Sequence, residues 1–251
     1  MANSRSGETM TDRIVRVLST FSEERRTQTA SEIGRRAGLP SSTAHRIVDD
    51  LVAVGLLERD ARHRVALGMR LWELAHRGSR ALRLREAALP FMQQVQARIR
   101  EHTQLSVLED EEALFLERLS HPEAGLNVAR VAGRLPLHSS SAGLVLLAHA
   151  DADLVQRVLS RRLPALTADT ITDPDLLREL LRTVRERGFV VARGMMSEVS
   201  TGVAVPVRDR GKVVAALSVV LPRDSGREAA AVDVLSGAAT GIGAVLASPA
   251  G

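Results

Sequence analysis

Apolar residues near the start of the chain recur with the period of an amphipathic helix. A stripe after Thr11 falls at positions i, i+3, i+4 and i+7, as it does in a helix with one buried face: Ile14, Val17, Leu18 and Phe21. After a polar connection, Thr29 precedes Glu32 with the spacing of a capping box, in which each side chain caps the other residue's backbone amide. The pattern predicts one helix from residue 11 and a second, short helix from Thr29 to about Ala37.

A tight turn connects the second helix to a third. Gly38 suits the left-handed conformation that ends a helix, and Pro40 suits the first turn of the next helix because it has no amide hydrogen to leave unpaired. Two short helices joined in this way form a helix-turn-helix, and the third helix is predicted over residues 41–54. Its buried stripe is predicted to be Ala44, Ile47, Val48, Leu51 and Val54. Its outer N-terminal face has Ser41, Ser42, Thr43, His45 and Arg46.

The chemistry of that outer face favours DNA. Short hydroxyls and free amides at a helix N-terminus bind phosphate, and the planar guanidinium of Arg46 can bind guanine through two hydrogen bonds. After Gly55, residues 56–68 form two short apolar runs around a turn, which predicts a β-wing suited to phosphates or a minor groove. The basic side chains of the wing are Arg59, Arg62, His63 and Arg64. A three-helix domain whose arginines form a solvated face is the alternative, but the order of these features favours DNA binding.

Residues 69–100 are helix-prone and contain two predicted helices. The first is a linker helix, and Pro90 is predicted to open the second. Trp72 and its leucine neighbours belong either to a core or to an interface. An apolar stripe on a helix that leaves a small domain favours contact with a partner subunit.

From residue 103 onward the pattern changes to strands interspersed with helices. Strands are predicted over 104–108, 113–119 and 189–192, a hairpin over 203–221 with its turn near 209–212, and helices over 173–188 and 229–246. The predicted fold class of this part is α+β with a mostly antiparallel sheet. The motif GAATGIG lies in the last helix and does not follow the first strand of a βαβ unit, so it favours helix packing over dinucleotide binding.

Two polar clusters admit more than one interpretation. The four carboxylates at 109–112 fall in a hairpin turn with no histidine nearby, which favours a solvated loop over a metal site. His138 and the serines at 139–141 precede an apolar helix, and a serine hydrolase would use Ser140 as nucleophile and His138 as base. Because the chain has no G-x-S-x-G motif, helix capping and pocket-lining hydroxyls are the favoured roles. We therefore predict no catalytic residue, no metal site and no cofactor.

Composition and charge narrow the expected partners. The chain has no cysteine, which excludes disulfides and thiolate chemistry and is compatible with a reducing cytoplasm. We see no apolar run of the roughly 18 residues that a membrane span requires and no apolar secretory signal, so we expect a cytoplasmic protein without a membrane partner. Residues 1–84 have 15 basic and 10 acidic side chains, whereas residues 85–251 have 19 and 20. This basic surplus in the first third suits a polyanion.

Together these motifs resemble the IclR-type bacterial transcription regulators. The resemblance covers about residues 10–246 and rests on TASEIGRRAGLPSSTAHRIVDDLVAVGLLE, HRVALGMRLWELA, GRLPLHSSSAGLVLLAHA, RERGF and VAVPVRDRGKVVAALSVVLP, in the family's order and spacing. It implies a winged helix-turn-helix DNA-binding domain at 1–68, a linker helix at 69–83 that pairs subunits, and a GAF-like α+β effector-binding and oligomerisation domain at 84–251.

The resemblance also implies a function. We expect a ligand-responsive repressor that binds palindromic double-stranded DNA operators as a homodimer or homotetramer and responds to a small-molecule effector. An activator of the same family is one alternative, because the sign of regulation depends on where the operator lies relative to the promoter. A dimerising module whose N-terminal domain no longer binds DNA is another.

The effector site is placed by the same resemblance. It implies a cavity lined by Leu137, Ser139, Ser140, Ser141, Gly143, Met195, Met196, Ser197, Val203, Ala204 and Ser218. The chain departs from the family pattern there, because Leu144 stands where lysine is frequent, Met195 where glutamate is common and Gly202 where cysteine often occurs. Since these departures make the site less polar, we expect a more apolar ligand than the small carboxylates frequent in the family, or no ligand.

Overall fold

The computed structural model describes residues 8–125 and 127–248. Its contacts divide the chain into two compact units, with the division between Leu82 and Arg83. The elements of the first unit are α1 (Met10–Leu18), α2 (Ala30–Arg36), α3 (Ser41–Ala53), β1 (Leu57–Arg59), β2 (Val65–Leu67) and α4 (Met69–His76). Strands β1 and β2 pair antiparallel, so three helices are followed by a two-stranded wing.

Local sequence signals explain where the helices of the first unit begin and turn. The Thr29 hydroxyl accepts a hydrogen bond from the Glu32 amide, and the Glu32 carboxylate accepts one from the Thr29 amide, so the predicted capping box is confirmed. These hydrogen bonds from Thr29 also hold the pKa of Glu32 below its usual value. Gly38 has a φ of 62°, the left-handed conformation predicted for the turn, and Pro40 is the N-cap of α3.

The core of the first unit confirms most of the predicted apolar stripes. Ile33 of α2 packs with Ile47, Val48 and Leu51 of α3 and with residues of α1 and the wing. The prediction that Val54 is buried is wrong: it is 51% exposed. Helix α3 ends at Ala53, and Val54 follows as its C-cap, where the backbone leaves the helical path.

Helix α4 differs from the others, because none of its residues is buried. The Trp72 ring is 59% exposed and stacks on His76, with 4.7 Å between ring centroids. The next helix, α5 (Arg80–Ile99), continues through Pro90, so the prediction that Pro90 opens a helix is wrong. Proline removes a hydrogen bond from a helix interior. Buried residues on both sides, such as Ala88 and Met92, hold the helix against the sheet and offset that loss.

The second unit is α+β, as predicted. After α5 its elements are β3 (His102–Glu109), β4 (Glu112–Leu119), β5 (Arg134–Pro136), α6 (Ser141–Ala148), α7 (Ala152–Leu159), α8 (Pro174–Arg187), β6 (Val190–Arg193), β7 (Ser200–Asp209), β8 (Lys212–Pro222) and α9 (Glu228–Ala247). The strands form one sheet in the order β5-β4-β3-β8-β7-β6, and every neighbouring pair is antiparallel. Strand β5 and helix α7 were not among the predicted elements.

The sheet separates two apolar cores, because successive strand residues point to opposite faces. On β7, Val203 and Val205 pack with α5 and α9. The residue between them, Ala204, packs with α6 and α8 on the other face. Register in the sheet therefore decides which strand residues can line a site near α6.

Helix α9 corrects one expectation from the sequence. By length and composition this 20-residue helix, with a mean hydropathy of 1.6, could cross a membrane. In the structure, however, Leu235 and Ile242 of α9 are buried in the core on the sheet. One face of the helix, which includes Leu235 and Ile242, therefore packs against the sheet.

Candidate functional sites

The N-terminal half of α3 presents a polar outer face. Ser41, Ser42, His45 and Arg46 are exposed and Thr43 is partly buried, whereas the apolar side of the helix, including Ile47, is buried in the first unit. Because α3 lies with its apolar stripe inward, the five predicted DNA-facing residues share one accessible surface.

Two side chains of this face have defined hydrogen-bonding capacity. The Nδ1 atom of His45 lies 2.9 Å from the carbonyl oxygen of Ser41. Since a carbonyl only accepts, Nδ1 must donate, and Nε2 of the neutral ring is left as an acceptor. No described residue forms a hydrogen bond or ion pair with the Arg46 guanidinium, so all of its donors are available to a partner.

The wing contains two kinds of basic residue. Arg62 and His63 are exposed at the turn, which the Asp60 carboxylate holds by accepting hydrogen bonds from the amides of Arg62 and Arg64. Arg59 is paired with Asp49 of α3 at 2.7 Å. The Arg64 guanidinium donates to the carbonyl of Thr27 at 2.6 Å. The tip of the wing is thus accessible to a partner. The base of the wing is held to α3 by Arg59 and to the segment before α2 by Arg64.

A cavity of about 150 Å³ lies in the second unit, on the sheet face that packs against α6. The lining comes from several strands, the start of α6 and two loops: Gln104, Phe115, Asn127, Val128, Ala129, Leu135, Ser139, Ser140, Ser141, Ala142, Ala192, Met196, Ser197, Ser200, Gly202 and Val220. All of these side chains are uncharged. The polar groups of the cavity are therefore hydroxyls, amides and the backbone.

The start of α6 lines this cavity through Ser140, Ser141 and Ala142. The hydroxyl of Ser140, the N-cap, accepts a hydrogen bond from the Gly143 amide at 3.1 Å and donates one to the carbonyl of Pro136 at 2.8 Å. The Ser140 hydroxyl is thus fully used in capping. The amides of Ser141 and Ala142 belong to the first turn, where a helix provides no acceptor of its own, and they form the positive end of the helix dipole.

Two carboxamides bring further donors to the lining. Gln104 is 4% exposed, and its Oε1 accepts a hydrogen bond from the Ser218 hydroxyl at 3.3 Å. Asn127 Oδ1 accepts from the amide of Ala129 at 3.0 Å. Neither Gln104 Nε2 nor Asn127 Nδ2 has a partner among the described atoms, although both atoms are buried.

Hydrogen bonds to carbonyl oxygens hold the two loops that border the cavity. In the first loop, the carbonyl of Gly125 lies 2.6 Å from His102 Nε2, and the carbonyl of Ala129 accepts from Arg118 at 2.7 Å. In the second, the carbonyl of Met195 accepts from the Thr170 hydroxyl at 2.8 Å. These hydrogen bonds order the two loops at the cavity wall.

Comparison with known proteins assigns the chain to a family. Residues 11–61 match the IclR helix-turn-helix domain, and residues 78–240 match the family described as bacterial transcriptional regulator IclR C-terminal. The chain belongs to the IclR family. Like its relatives, this IclR-family protein is a DNA-binding transcriptional regulator with a C-terminal effector-binding domain, and the predicted winged helix-turn-helix and GAF-like α+β fold is confirmed.

Several individual relatives align with most of the chain. A crystal structure of an IclR homolog from Microbacterium hydrocarbonoxydans, complexed with 4-hydroxybenzoate, is 57% identical with a TM-score of 0.90, and the match covers 95% of this chain and 99% of that one. An IclR homolog from Microbacterium sp. strain HM58-2 is 55% identical with a TM-score of 0.65, over 97% and 100% of the two chains. The Pca regulon regulatory protein of Pseudomonas putida is 29% identical over 81% of this chain and 70% of its own length.

Of the effector residues that the IclR resemblance implies, the cavity brings together Ser139, Ser140, Ser141, Met196 and Ser197. The other six lie outside its lining. Leu137, Gly143, Met195 and Ala204 are buried around it on the same side of the sheet. Ser218 reaches the cavity only through Gln104, and Val203 points to the opposite face, because β7 alternates.

Several lining residues were not predicted, among them Gln104, Phe115, Asn127 and Ala192. The sequence contains a signal for one of them: Gln104 and Ser106 are polar residues at alternate positions of β3, and the residues that flank Ser106, Leu105 and Val107, are apolar. Of the three departures from the IclR pattern, only Gly202 lines the cavity, and Leu144 is fully buried in the core.

The geometry around the serines does not form a nucleophile and base pair. His138 Nε2 lies 3.0 Å from the carbonyl of Pro164, and the Ser140 hydroxyl is occupied in capping α6. Within the described part of the chain no hydrogen bond joins His138 to these serines.

In the acidic turn, Glu111 pairs with Arg157 and Arg161 of the α7 region, and no described group of three metal-ligating side chains occurs.

Proposed function

We propose that this IclR-family protein is a ligand-responsive repressor that binds a palindromic operator as a dimer, with α3 in the major groove. The accessible face of α3 is the observation that supports this most strongly. Arg46 has no partner to give up among residues 8–125 and 127–248, and His45 offers an acceptor one residue away, so the two side chains can read base edges. Ser41 and Ser42 at the helix N-terminus suit the flanking phosphate.

The wing supports the same orientation. Arg62 and His63 at its tip are free to approach the backbone or a minor groove, whereas Arg59 and Arg64 hold the wing in place. We therefore divide the nine predicted DNA-binding residues into seven that meet DNA and two, Arg59 and Arg64, that act mainly by fixing the wing.

Self-association is proposed through α4. This helix has no buried residue, and it exposes Met69, Trp72 and Leu74. Such apolar exposure is typical of an interface. A two-fold dimer presents two copies of α3, and an operator with two half-sites one helical turn or a multiple apart matches that symmetry.

The effector that we propose is a small aromatic carboxylate of the 4-hydroxybenzoate type. The cavity has about the size known to accept one benzene ring, and the Phe115 ring in its wall can pack against another ring. The amides at the start of α6 favour an anion without any charged side chain. The Microbacterium hydrocarbonoxydans relative, at 57% identity, is complexed with 4-hydroxybenzoate. This differs from the more apolar ligand, or no ligand, expected from the sequence, because neutral donors can bind a carboxylate without a lysine.

Regulation requires that the ligand distinguish two states of the protein. A ligand shifts the equilibrium toward DNA release only if it binds the DNA-incompetent state more tightly. We propose that 4-hydroxybenzoate does so.

Selection of genomic fragments by the purified protein, with and without 4-hydroxybenzoate, tests this function. The expected result is a recovered palindrome whose occupancy falls when the ligand is added. Ligand-dependent strengthening of binding would instead favour the activator, and recovery of fragments without a shared sequence would contradict the proposal.

A further inference from the structure

The amide of Gln104 is an unused hydrogen-bond donor at the floor of the cavity. Gln104 lies on β3 opposite Ser218 of β8, and Ser218 in turn lies opposite Ala204 of β7. The Ser218 hydroxyl donates to Gln104 Oε1, and Gln104 Nε2 is left without an acceptor among the described atoms. Burial of such a donor is unfavourable unless a partner is supplied.

A second donor comes from the loop wall. Asn127 Oδ1 accepts from the backbone amide of Ala129, which only donates, so the orientation of this carboxamide is fixed and Nδ2 is left without a partner among the described atoms. Both carboxamides line the cavity. The two amides thus supply donors and no charge.

The positive start of α6 lies at the other side of the cavity. A Cβ atom on Gly202 would be 2.6 Å from the Ser141 hydroxyl, which places the first turn of α6 directly over β7. Gly202 is level with Val220 of β8 and His102 of β3. Gln104 therefore lies two strands and two residues away, roughly 12 Å from Gly202 at strand spacings of about 4.8 Å and residue spacings of about 3.4 Å. A ring with polar groups at its two opposite ends spans such a distance with one hydrogen bond at each end.

We propose that Gln104, assisted by Asn127, is the specificity-determining residue for the ring substituent opposite the carboxylate, and that it selects substituents that accept a hydrogen bond. The inference rests on the proposed aromatic carboxylate ligand, whose carboxylate lies at the amides of Ser141 and Ala142. A hydroxyl in the para position then accepts from Gln104 Nε2. A methyl group there leaves the amide buried without a partner.

Calorimetric titration with 4-hydroxybenzoate and 4-methylbenzoate tests the assignment. The unmodified protein is expected to bind 4-hydroxybenzoate at least about tenfold more tightly, as the loss of one buried hydrogen bond predicts. Gln104→Leu, which keeps the side-chain size and removes the donor, is expected to abolish or reverse this preference. Ser218→Ala, which releases the amide oxygen, is expected to reduce the preference without abolishing it.

The outcomes separate the two proposals. Equal weakening of both ligands by Gln104→Leu, with the preference intact, would overturn the role of Gln104, because damage to the fold affects both ligands alike. Absence of binding of either benzoate to the unmodified protein would overturn the proposed ligand class and this inference with it. Reversal of the preference supports the assignment, since unfolding cannot improve relative affinity for 4-methylbenzoate.

Discussion

Arg85 Nη2 lies 2.6 Å from Glu117 Oε2, and this ion pair joins α5 to the bulged part of β4. The bulge arises because Leu105 faces Glu117 while the next residue of β3, Ser106, faces Phe115. Phe115 lines the cavity on one side of the sheet, and Glu117 meets α5. The two environments are therefore only two residues apart along one strand.

Loss of this ion pair should destabilise the second unit. The Glu117 side chain is 10% exposed and that of Arg85 is 40% exposed, so solvent weakens the pair without cancelling it. We expect Glu117→Gln to lower the free energy of unfolding in urea by about 1 kcal/mol. Glu186→Gln is the matched control, because its pair with Arg182 is exposed and should contribute no more than about 0.5 kcal/mol. Equal losses for the two variants would contradict this reading of the buried pair.

Arg46 and Arg62 should affect DNA binding in different ways. As a base contact, Arg46→Ala is expected to cost about 1–3 kcal/mol of operator binding and to relax sequence preference. As a phosphate contact, Arg62→Ala should weaken binding to all sequences alike and reduce the salt dependence by about one counterion. Titration of operator and scrambled DNA at several salt concentrations distinguishes the two. If Arg46→Ala weakened binding to operator and scrambled DNA equally, Arg46 would not be a base contact.

Arg64 should behave as a structural residue of the wing. Its two hydrogen bonds to Thr27 join β2 to the segment before α2, so we expect Arg64→Ala to lower the stability of the first unit by about 1–2 kcal/mol. Urea unfolding followed by circular dichroism measures this loss, because the first unit contains four helices. An unchanged unfolding midpoint together with a reduced salt dependence of DNA binding would instead make Arg64 a phosphate contact.

Gly202 should be required for the shape of the cavity. A Cβ atom there would lie 2.6 Å from Ser141 Oγ and 2.9 Å from Ser141 Cβ, so Gly202→Ala must displace the first turn of α6. We expect a loss of about 1–3 kcal/mol in stability and weaker binding of 4-hydroxybenzoate. The control is Gly237→Ala in α9, where the added methyl meets nothing within 4 Å and should stabilise the helix by about 0.5–1 kcal/mol. If both substitutions raised the free energy of unfolding, the first turn of α6 could be displaced at little energetic cost.

His149 should make stability depend on pH. Burial, and to a smaller extent the charges of Arg208 and Arg185, lower its pKa below 6.5, although the hydrogen bond to the Val145 carbonyl opposes the shift. The unfolded chain therefore binds a proton before the folded chain does. The stabilising contribution is fully present above pH 6.5 and is lost as pH falls below that value toward the folded pKa. Urea unfolding at several pH values should show a shallower dependence for His149→Gln, and identical slopes would contradict the prediction.

Sequence patterns predicted those features of the fold that depend on local chemistry. The capping box of Thr29 and Glu32, the turn at Gly38 and the long hairpin of β7 and β8 follow from residue preferences over short spans. The prediction that Pro90 opens a helix is wrong because tertiary packing along α5 outweighs one missing hydrogen bond. Strand β5 is only three residues long and is defined by its pairing with β4, which no local signal reveals.

The cavity was harder to predict, because its lining depends on register and on long-range contact. Val203 and Ala204 are adjacent in sequence, yet the pleat of β7 places them on opposite sides of the sheet. Asn127 lies in an irregular loop. Hydrogen bonds such as that from Arg118 to the carbonyl of Ala129 hold this loop at the cavity. The serines of the α6 start were found because helix capping is local chemistry.

Small side chains in the cavity wall give the family a simple route to new ligands. Ala129, Ala142 and Ala192 lie in three separate elements, the loop after β4, helix α6 and strand β6, and each is buried against the cavity. Substitution of any one of these alanines by a larger apolar residue would reduce the cavity volume by a few methyl groups. The strands and helices around the cavity, and helix α3, would keep their sequence. Substitutions at these three alanines should therefore change ligand preference without changing any residue of α3.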